Sequence, residues 1–494
     1  MSERDSVAHL TGRPFLSRVA GYMKLCGPGY MQSAMTLGAS SIASCVLFGA
    51  LMGYELLWIN PLAILSGCFV LAAIAKQVCH TGERPYESFK RRLHPALAVL
   101  WGASALVGTV VWHFPQYGLT ANGVMTVGQS FGVQLDSTAG RVGIGACLLS
   151  LACVVVWFYQ SGSKGVRVFE QITKVMVWGI VCAFACVALG TGVRLMPFLR
   201  GITGVAFLAD WLDGGIDPRA VVPIVGGLAA ALGLNMVFLY PYSLLRKGWE
   251  KDHQELAYFD LASGMAVPFI FATTFMVIAV ANTIGPAEGE PGNVLSDIRE
   301  VIPVLAPSLG KVLGNEQAGL FISQLMLGFG MSAIGFTTVV MQMLACGFIG
   351  CEMTGRKHEG LAPFLFALIP VAGVCGVMIK LPWQAAVLGA SLNAPLMPVA
   401  TLCFMILLNK RSFMGGQTPR GWRRFAWNAA LSVSILLMTT AAYFGIRSNL
   451  QTYRAKRQAR AAAHGKTSER SAPHQPDIRF KQGRAPEYPD QRGG

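Results

Sequence analysis

The sequence predicts an all-α integral membrane protein of about eleven transmembrane helices, with helices 1 and 6 broken. Three observations predict it. Of the 494 residues, 53% are hydrophobic and only 13% charged, whereas soluble domains carry about 25% charged residues. Apolar runs of about 20 residues, each long enough to cross a hydrocarbon core of about 30 Å as a helix, recur along the chain. Two of those runs are interrupted near the middle by glycine and polar residues, at Leu37-Gly38-Ala39-Ser40-Ser41 and at Gly233-Leu234-Asn235-Met236.

In chain order the spans are expected near 28–53, 57–79, 95–125, 141–160, 168–192, 220–245, 262–284, 318–350, 362–380, 384–408 and 425–447. Gly27-Pro28-Gly29 opens the first, because proline suits a first helical turn. Gly38 weakens that helix near its middle. Ser40 and Ser41 follow with hydroxyls that donate or accept. The helix restarts at Ala39 to Ser41, and its first N–H groups lack partners and carry the positive end of the dipole. In the sixth span Gly233 loosens the ladder and Asn235 supplies an amide. Pro241, six residues on, removes a hydrogen bond at its own turn, with Tyr240 and Tyr242 beside it. Two interrupted helices facing each other expose backbone groups to a ligand, which is how membrane proteins bind ions and polar solutes at mid-bilayer. Gly38, Ala39, Ser40, Ser41, Gly233, Asn235 and Met236 are therefore the candidate substrate-binding residues.

Other polar residues in the spans are candidates for coupling or gating. His113 lies well inside the third span, with Gln116 three residues on. A buried ionisable residue in a membrane is a functional candidate, and histidine titrates near neutral pH. Tyr240 and Asn393, the latter just before Pro395, join this group. Gln324, Ser332, Thr337 and Gln342 share one stretch of the eighth span, where Ser332 and Thr337 are expected to be satisfied within their own helix. Lys174 is expected to pair with Glu170 four residues earlier.

Charge sets topology. With the N-terminus in the cytoplasm, one set of alternate loops collects 22 Lys and Arg against seven in the other set. This is the positive-inside pattern. It explains the formal net charge of +15 without a nucleic-acid partner. The first 26 residues form a short N-terminal segment with no cleavable signal, since the first apolar run is too long for one. Residues 27–448 form the transmembrane domain, and 449–494 a basic tail expected to be disordered. Twelve cysteines, irregularly spaced and without a C-x-x-C pair, read as small apolar packing residues rather than a disulfide or metal framework.

No acid falls inside the hydrocarbon part of any expected span; Asp260 and Glu352 sit at span ends. A dehydrated divalent cation wants carboxylates or several hard oxygens, and a soft one wants thiolate, thioether or imidazole. Hydroxyls, an amide and helix N-termini suit an anion better.

Gly27-Pro28-Gly29-Tyr30, Gly49-Ala50, Gly53-Tyr54 and Leu56-Leu57-Trp58 resemble the opening and close of the first span of the Nramp (natural-resistance-associated macrophage protein) transporters. Pro395-Leu396-Met397-Pro398 and the loop Asn409 to Gly415 are similar to that family's tenth span and its charged loop. The resemblance implies a LeuT-type inverted five-plus-five repeat, with repeat one about 27–192, repeat two about 220–408 and an extra helix at 425–447. It also marks a divergent member. The family's Asp-Pro-Gly-Asn reads Gly38-Ala39-Ser40-Ser41 here. Its Met-Pro-His reads Asn235-Met236-Val237, so the thioether ligand is expected to be lost. His113 and Gln116 stand where the family has an Asp and a Glu.

These readings together predict a secondary transporter, monomeric in a cell membrane, that moves a small inorganic ion by alternating access. It is expected to be neither an enzyme nor a transition-metal carrier. A small oxyanion such as bicarbonate, held by Ser40, Ser41, Asn235 and the half-helix N-termini, is the first expectation. A partly hydrated divalent cation such as Mg2+ is the alternative, and a transport-inactive membrane sensor stands in another class. No cofactor is expected; Na+ or H+ would be the coupling ion in symport. A membrane-bound enzyme finds no support, since there is no intramembrane carboxylate pair, nucleotide loop or H-E-x-x-H.

Overall fold

The computed structural model describes residues 14–214, 218–285, 301–379 and 394–470. Every element among them is helical. Each expected span contains a helix, but not all are long. Eight helices are long and apolar enough to cross a membrane alone, and the bent pair Pro28–Thr36 and Ala39–Met52 makes a ninth. The ninth and tenth expected spans are represented by the shorter apolar stretches Ala362–Val377 and Met397–Asn409; residues 380–393, which include Asn393 and Lys380, lie outside the described residues. The count of eleven thus stands as eleven apolar segments, two of them short of a full crossing in the described chain.

The chain divides into two units, Met1–Arg447 and Ser448–Gly494. The first contains the apolar segments. In the second, the backbone is helical as far as Arg470, in the stretch expected to be disordered. Its Ala, Arg, Lys and Gln residues are good helix formers, and low apolar content speaks against a core rather than against a helix.

Burial separates centre from periphery. The Glu316–Thr354 helix is 94% buried over its most apolar window and the Pro223–Lys247 segment 83%, against 33% for Thr138–Gln160. The peripheral helices turn Val107, Val154, Val175 and Leu436 outward. A continuous apolar exterior of this kind belongs against lipid, and the chain is a multi-pass membrane protein.

The two breaks have local causes. At the first, Gly38 is extended (φ −121°, ψ −176°), and the two halves bend by 55°. At the second, the helix Pro218–Ala230 stops and Leu234–Lys247 starts with Gly233 as its extended N-cap. Gly53, at φ 57°, ends the first span in a conformation that side chains avoid.

The start of the first span is clamped. Gly27 and Gly29 donate their N–H groups to Asp260 Oδ1 (3.0 Å) and Oδ2 (2.6 Å). Asp260 is fully buried. It does not sit at a span end as the sequence suggested, because the seventh-span helix begins at Lys251 rather than near 262 and passes through a π turn at Leu261–Ala266. A Cβ on Gly29 would collide with the backbone carbonyl of Asp260. Gly29→Ala is therefore expected to destabilise by about 1–3 kcal/mol, read as a lower melting temperature in detergent. An unchanged melting temperature would contradict this close approach.

Candidate functional site

The two breaks meet in the middle of the bundle. Thr36, the last residue of the first half-helix, places its Oγ1 3.8 Å from Met236 Sδ. The third span, Pro95–Ser130, joins them from one side. Trp112 lies against Gly233 and Gln116 against Gly38, one helical turn apart on one face.

Each break is held by a side-chain amide. Gln116 Oε1 accepts the Ala39 N–H at 3.1 Å, and Asn235 Oδ1 accepts the Met236 N–H at 3.0 Å. A backbone N–H only donates, so the atom facing it is the amide oxygen, and this fixes the orientation of both side chains. The NH2 groups of Gln116 and Asn235 then have no partner among the described residues, nor do Ser40 Oγ and Trp112 Nε1. All four residues are buried. An unpartnered buried polar group costs about 1–3 kcal/mol, so the two amide NH2 groups beside the breaks favour a polar occupant.

The expected binding residues are placed as follows. Gly38, Ala39, Ser40 and Ser41 form the restart of the first span, and Ser41 Oγ donates to Thr36 O at 2.5 Å, which takes Ser41 partly out of reach of a ligand. Gly233, Asn235 and Met236 form the other wall. Met236 Sδ accepts from the Gly233 N–H at 3.4 Å and faces Thr36. The expectation that the thioether had been lost is corrected here: a methionine sulfur is present at the gap, one position along from where the motif resemblance placed it. Among the described residues no carboxylate approaches the gap, and no group of three or more His, Cys, Asp and Glu is arranged to hold a metal ion.

The coupling candidates separate. Gln116 belongs to the gap. His113 turns away from it, with Nδ1 2.7 Å from Gln342 Oε1 and its ring edge-on to Tyr117. Tyr240 is buried, its hydroxyl without a partner among the described residues, and Asn393 lies outside them. Thr337 is satisfied in its helix by Ala333 O at 2.8 Å, as expected, whereas Ser332 Oγ has no partner among the described residues. Glu170 forms its ion pair with Lys247 (2.9 Å) rather than Lys174, whose Nζ donates to Met23 O at 3.3 Å. The pairing expected from i,i+4 spacing gives way to one between spans, which the sequence separation of Glu170 and Lys247 does not reveal. Trp112 was missed by the sequence reading; its position four residues before Gln116 was the available signal.

Residues 29–443 match the family described as natural resistance-associated macrophage protein-like. The chain is 24% identical over 405 residues to the Metal transporter Nramp3.2 of Populus trichocarpa, covering 79% of this chain and 74% of that one. It is 22% identical over 426 residues to the Divalent metal cation transporter MntH of Acidiphilium cryptum, covering 85% and 91%. A mutant of the Eremococcus coleocola manganese transporter superposes with a TM-score of 0.67 at 14% identity, over 90% of this chain and 89% of the other. That likeness shows a shared fold.

Proposed function

The chain belongs to the natural resistance-associated macrophage protein-like family, whose members are transporters and not enzymes, and from this premise we propose that it carries a divalent cation across a cell membrane by alternating access. The N-terminus would face the cytoplasm and the working unit would be a monomer. The relatives above are named metal transporters, which favours a cation over the oxyanion expected first. That no carboxylate approaches the gap among the described residues is the observation that narrows the cargo. A bare M2+ would have its charge poorly balanced there, whereas Mg2+ dehydrates reluctantly and travels with several waters. Ser40, Ser41 and Asn235 would bond to that water shell. Met236 Sδ adds a soft contact of use to Mn2+ rather than Mg2+.

A second reading, a small oxyanion such as bicarbonate, is favoured by one feature. The free halves of Gln116 and Asn235 are NH2 groups, which donate. Donors suit an anion better than the outward hydrogens of a hydrated cation.

Uptake into proteoliposomes separates these. Saturable Mg2+ or Mn2+ uptake, reduced about tenfold in Asn235→Ala and Ser40→Ala, is expected for the first reading. Bicarbonate uptake with the same sensitivity and no divalent-ion uptake would replace it with the second. No uptake of any of the three by a folded protein would point to a transport-inactive sensor.

A further inference from the structure

A cavity of about 360 Å³ opens at the end of the bundle where the basic loops gather. Three elements wall it: the short helix Pro85–Arg92 after the second span, the start of the third span, and the end of the Glu316–Thr354 helix. Its floor is packed. A Cβ on Gly102 would meet Met353 and Tyr86 at 3.1 Å, so these two side chains close the cavity against the third span.

Five charged side chains line it: Arg84, Glu87, Lys90, Glu352 and Arg356. Both acids are already engaged. Glu352 binds Arg84 at 2.9 Å and also His358, and Glu87 pairs with Arg91 one turn along its own helix. Lys90 and Arg356 are exposed and have no acid partner among the described residues. Arg84 gives one nitrogen to Glu352, and the rest of its five-donor fork stays open. The cavity therefore carries an excess of two positive charges, on side chains that donate hydrogen bonds to phosphate oxygens.

The remaining rim is apolar and leads away from water. Pro95 and Val99 line the cavity, and both are exposed. Beside Val99 begins a stripe of Leu100, Val107 and Val111, all exposed. Their spacings of seven and four residues put them on one face of the third span, and that face belongs to the lipid-facing exterior. A basic recess opening onto a lipid-facing stripe fits a molecule with a charged head and apolar chains.

We propose that this cavity binds the head group of an anionic phospholipid. Its phosphate sits between Lys90, Arg356 and the open side of Arg84, and its acyl chains lie along the Leu100 stripe. In the orientation proposed above this end meets the cytoplasmic leaflet, where basic pockets between spans take up anionic head groups. The bound lipid joins the loop after the second span to the third and eighth spans. The site lies apart from the gap and does not depend on which ion the gap carries.

The test uses the full-length protein, delipidated in a neutral detergent. Its melting temperature is followed as phosphatidylglycerol, phosphatidylcholine or inorganic phosphate is added at constant ionic strength. A ligand that binds only the folded state raises the melting temperature in a saturable way. Phosphatidylglycerol is expected to do so, and phosphatidylcholine and inorganic phosphate not. The double variant Lys90→Ala/Arg356→Ala is expected to weaken the apparent affinity for phosphatidylglycerol about tenfold, with an unchanged melting temperature before lipid is added. Lys90→Arg/Arg356→Lys, which keeps both charges, retains the response. So does Lys164→Ala/Arg167→Ala, which removes two exposed cations from another basic loop. If the first double variant fails to fold, the single variants Lys90→Gln and Arg356→Gln decide by the same reading. An equal response to phosphatidylcholine would overturn the assignment, as would a wild-type response in Lys90→Ala/Arg356→Ala. An equal response to inorganic phosphate would replace the lipid by a soluble anion. Failure of metal or bicarbonate uptake would leave this result unaffected.

Discussion

Replacing Glu170 by alanine is expected to be the most destabilising single change at the buried ion cluster. Glu170 and Lys247 are 4% and 5% exposed in their side chains and pair at 2.9 Å. Lys247 Nζ also donates to Leu25 O at 2.9 Å, which ties the sixth span to the residues just before Gly27. Removing the carboxylate takes from a buried ammonium the acid it pairs with at 2.9 Å, a loss of about 3–5 kcal/mol. It also opens space beside Gly27, where the Glu170 carboxyl fills the place a Cβ would take. The expected readout is a large fall in melting temperature and in the monodisperse fraction on size exclusion. The double variant Glu170→Gln/Lys247→Met, which removes both charges at similar volume, should recover most of it, since neutral replacements of buried pairs are well tolerated. A wild-type melting temperature for Glu170→Ala would show that the pair carries no weight in the fold.

Gln116→Ala is expected to have the largest effect on transport. Its Oε1 is the acceptor for the Ala39 N–H, at the restart of the first span. Truncation leaves that buried N–H unmet, at about 1–3 kcal/mol. It also removes an NH2 group from the gap. Uptake in proteoliposomes should fall about tenfold or more, mainly through a higher KM. Gln116→Glu discriminates between cargoes. It keeps an acceptor for Ala39 and replaces the free donor by a negatively charged oxygen. Divalent-cation uptake should be maintained or improved, and bicarbonate uptake should fall further than in Gln116→Ala. Unchanged uptake of the cargo in Gln116→Ala would remove Gln116 from the site.

Much of this architecture was legible in the residues. Apolar runs have a length set by the bilayer, so they read directly as helices. The Gly38 and Gly233 interruptions were legible because glycine between apolar stretches is a poor helix residue whatever its surroundings. The two short apolar segments and the helix that continues to Arg470 were not so clear. Crossing length depends on where a helix turns, and helix propensity in a charged, alanine-rich stretch leaves no hydrophobic trace.

The partners of the polar residues were less legible. Sequence spacing paired Glu170 with Lys174, but the end of the sixth span brings Lys247 within 2.9 Å of Glu170 instead. Motif resemblance removed the thioether, but a side chain one position along reaches the same gap, since a methionine is long and flexible enough to do so. Asp260 read as a span end because composition marks only the apolar part of a helix, and a buried carboxylate satisfied by two glycine N–H groups gives no signal along the chain.

By itself the sequence determined that the protein crosses a membrane many times, where two helices break, and that no acid fills the breaks. These are properties of single segments, set by backbone propensity and by transfer of side chains from water to lipid. Packing alone brings Gln116 and Trp112 to the gap from the third span and Thr338 of the eighth span to Ala34 O. Those meetings join residues about 80 to 300 positions apart, such as Ala39 with Gln116 and Ala34 with Thr338, and their physical reason is helix packing: which faces approach is fixed by the shapes of many side chains at once, not by any local pattern.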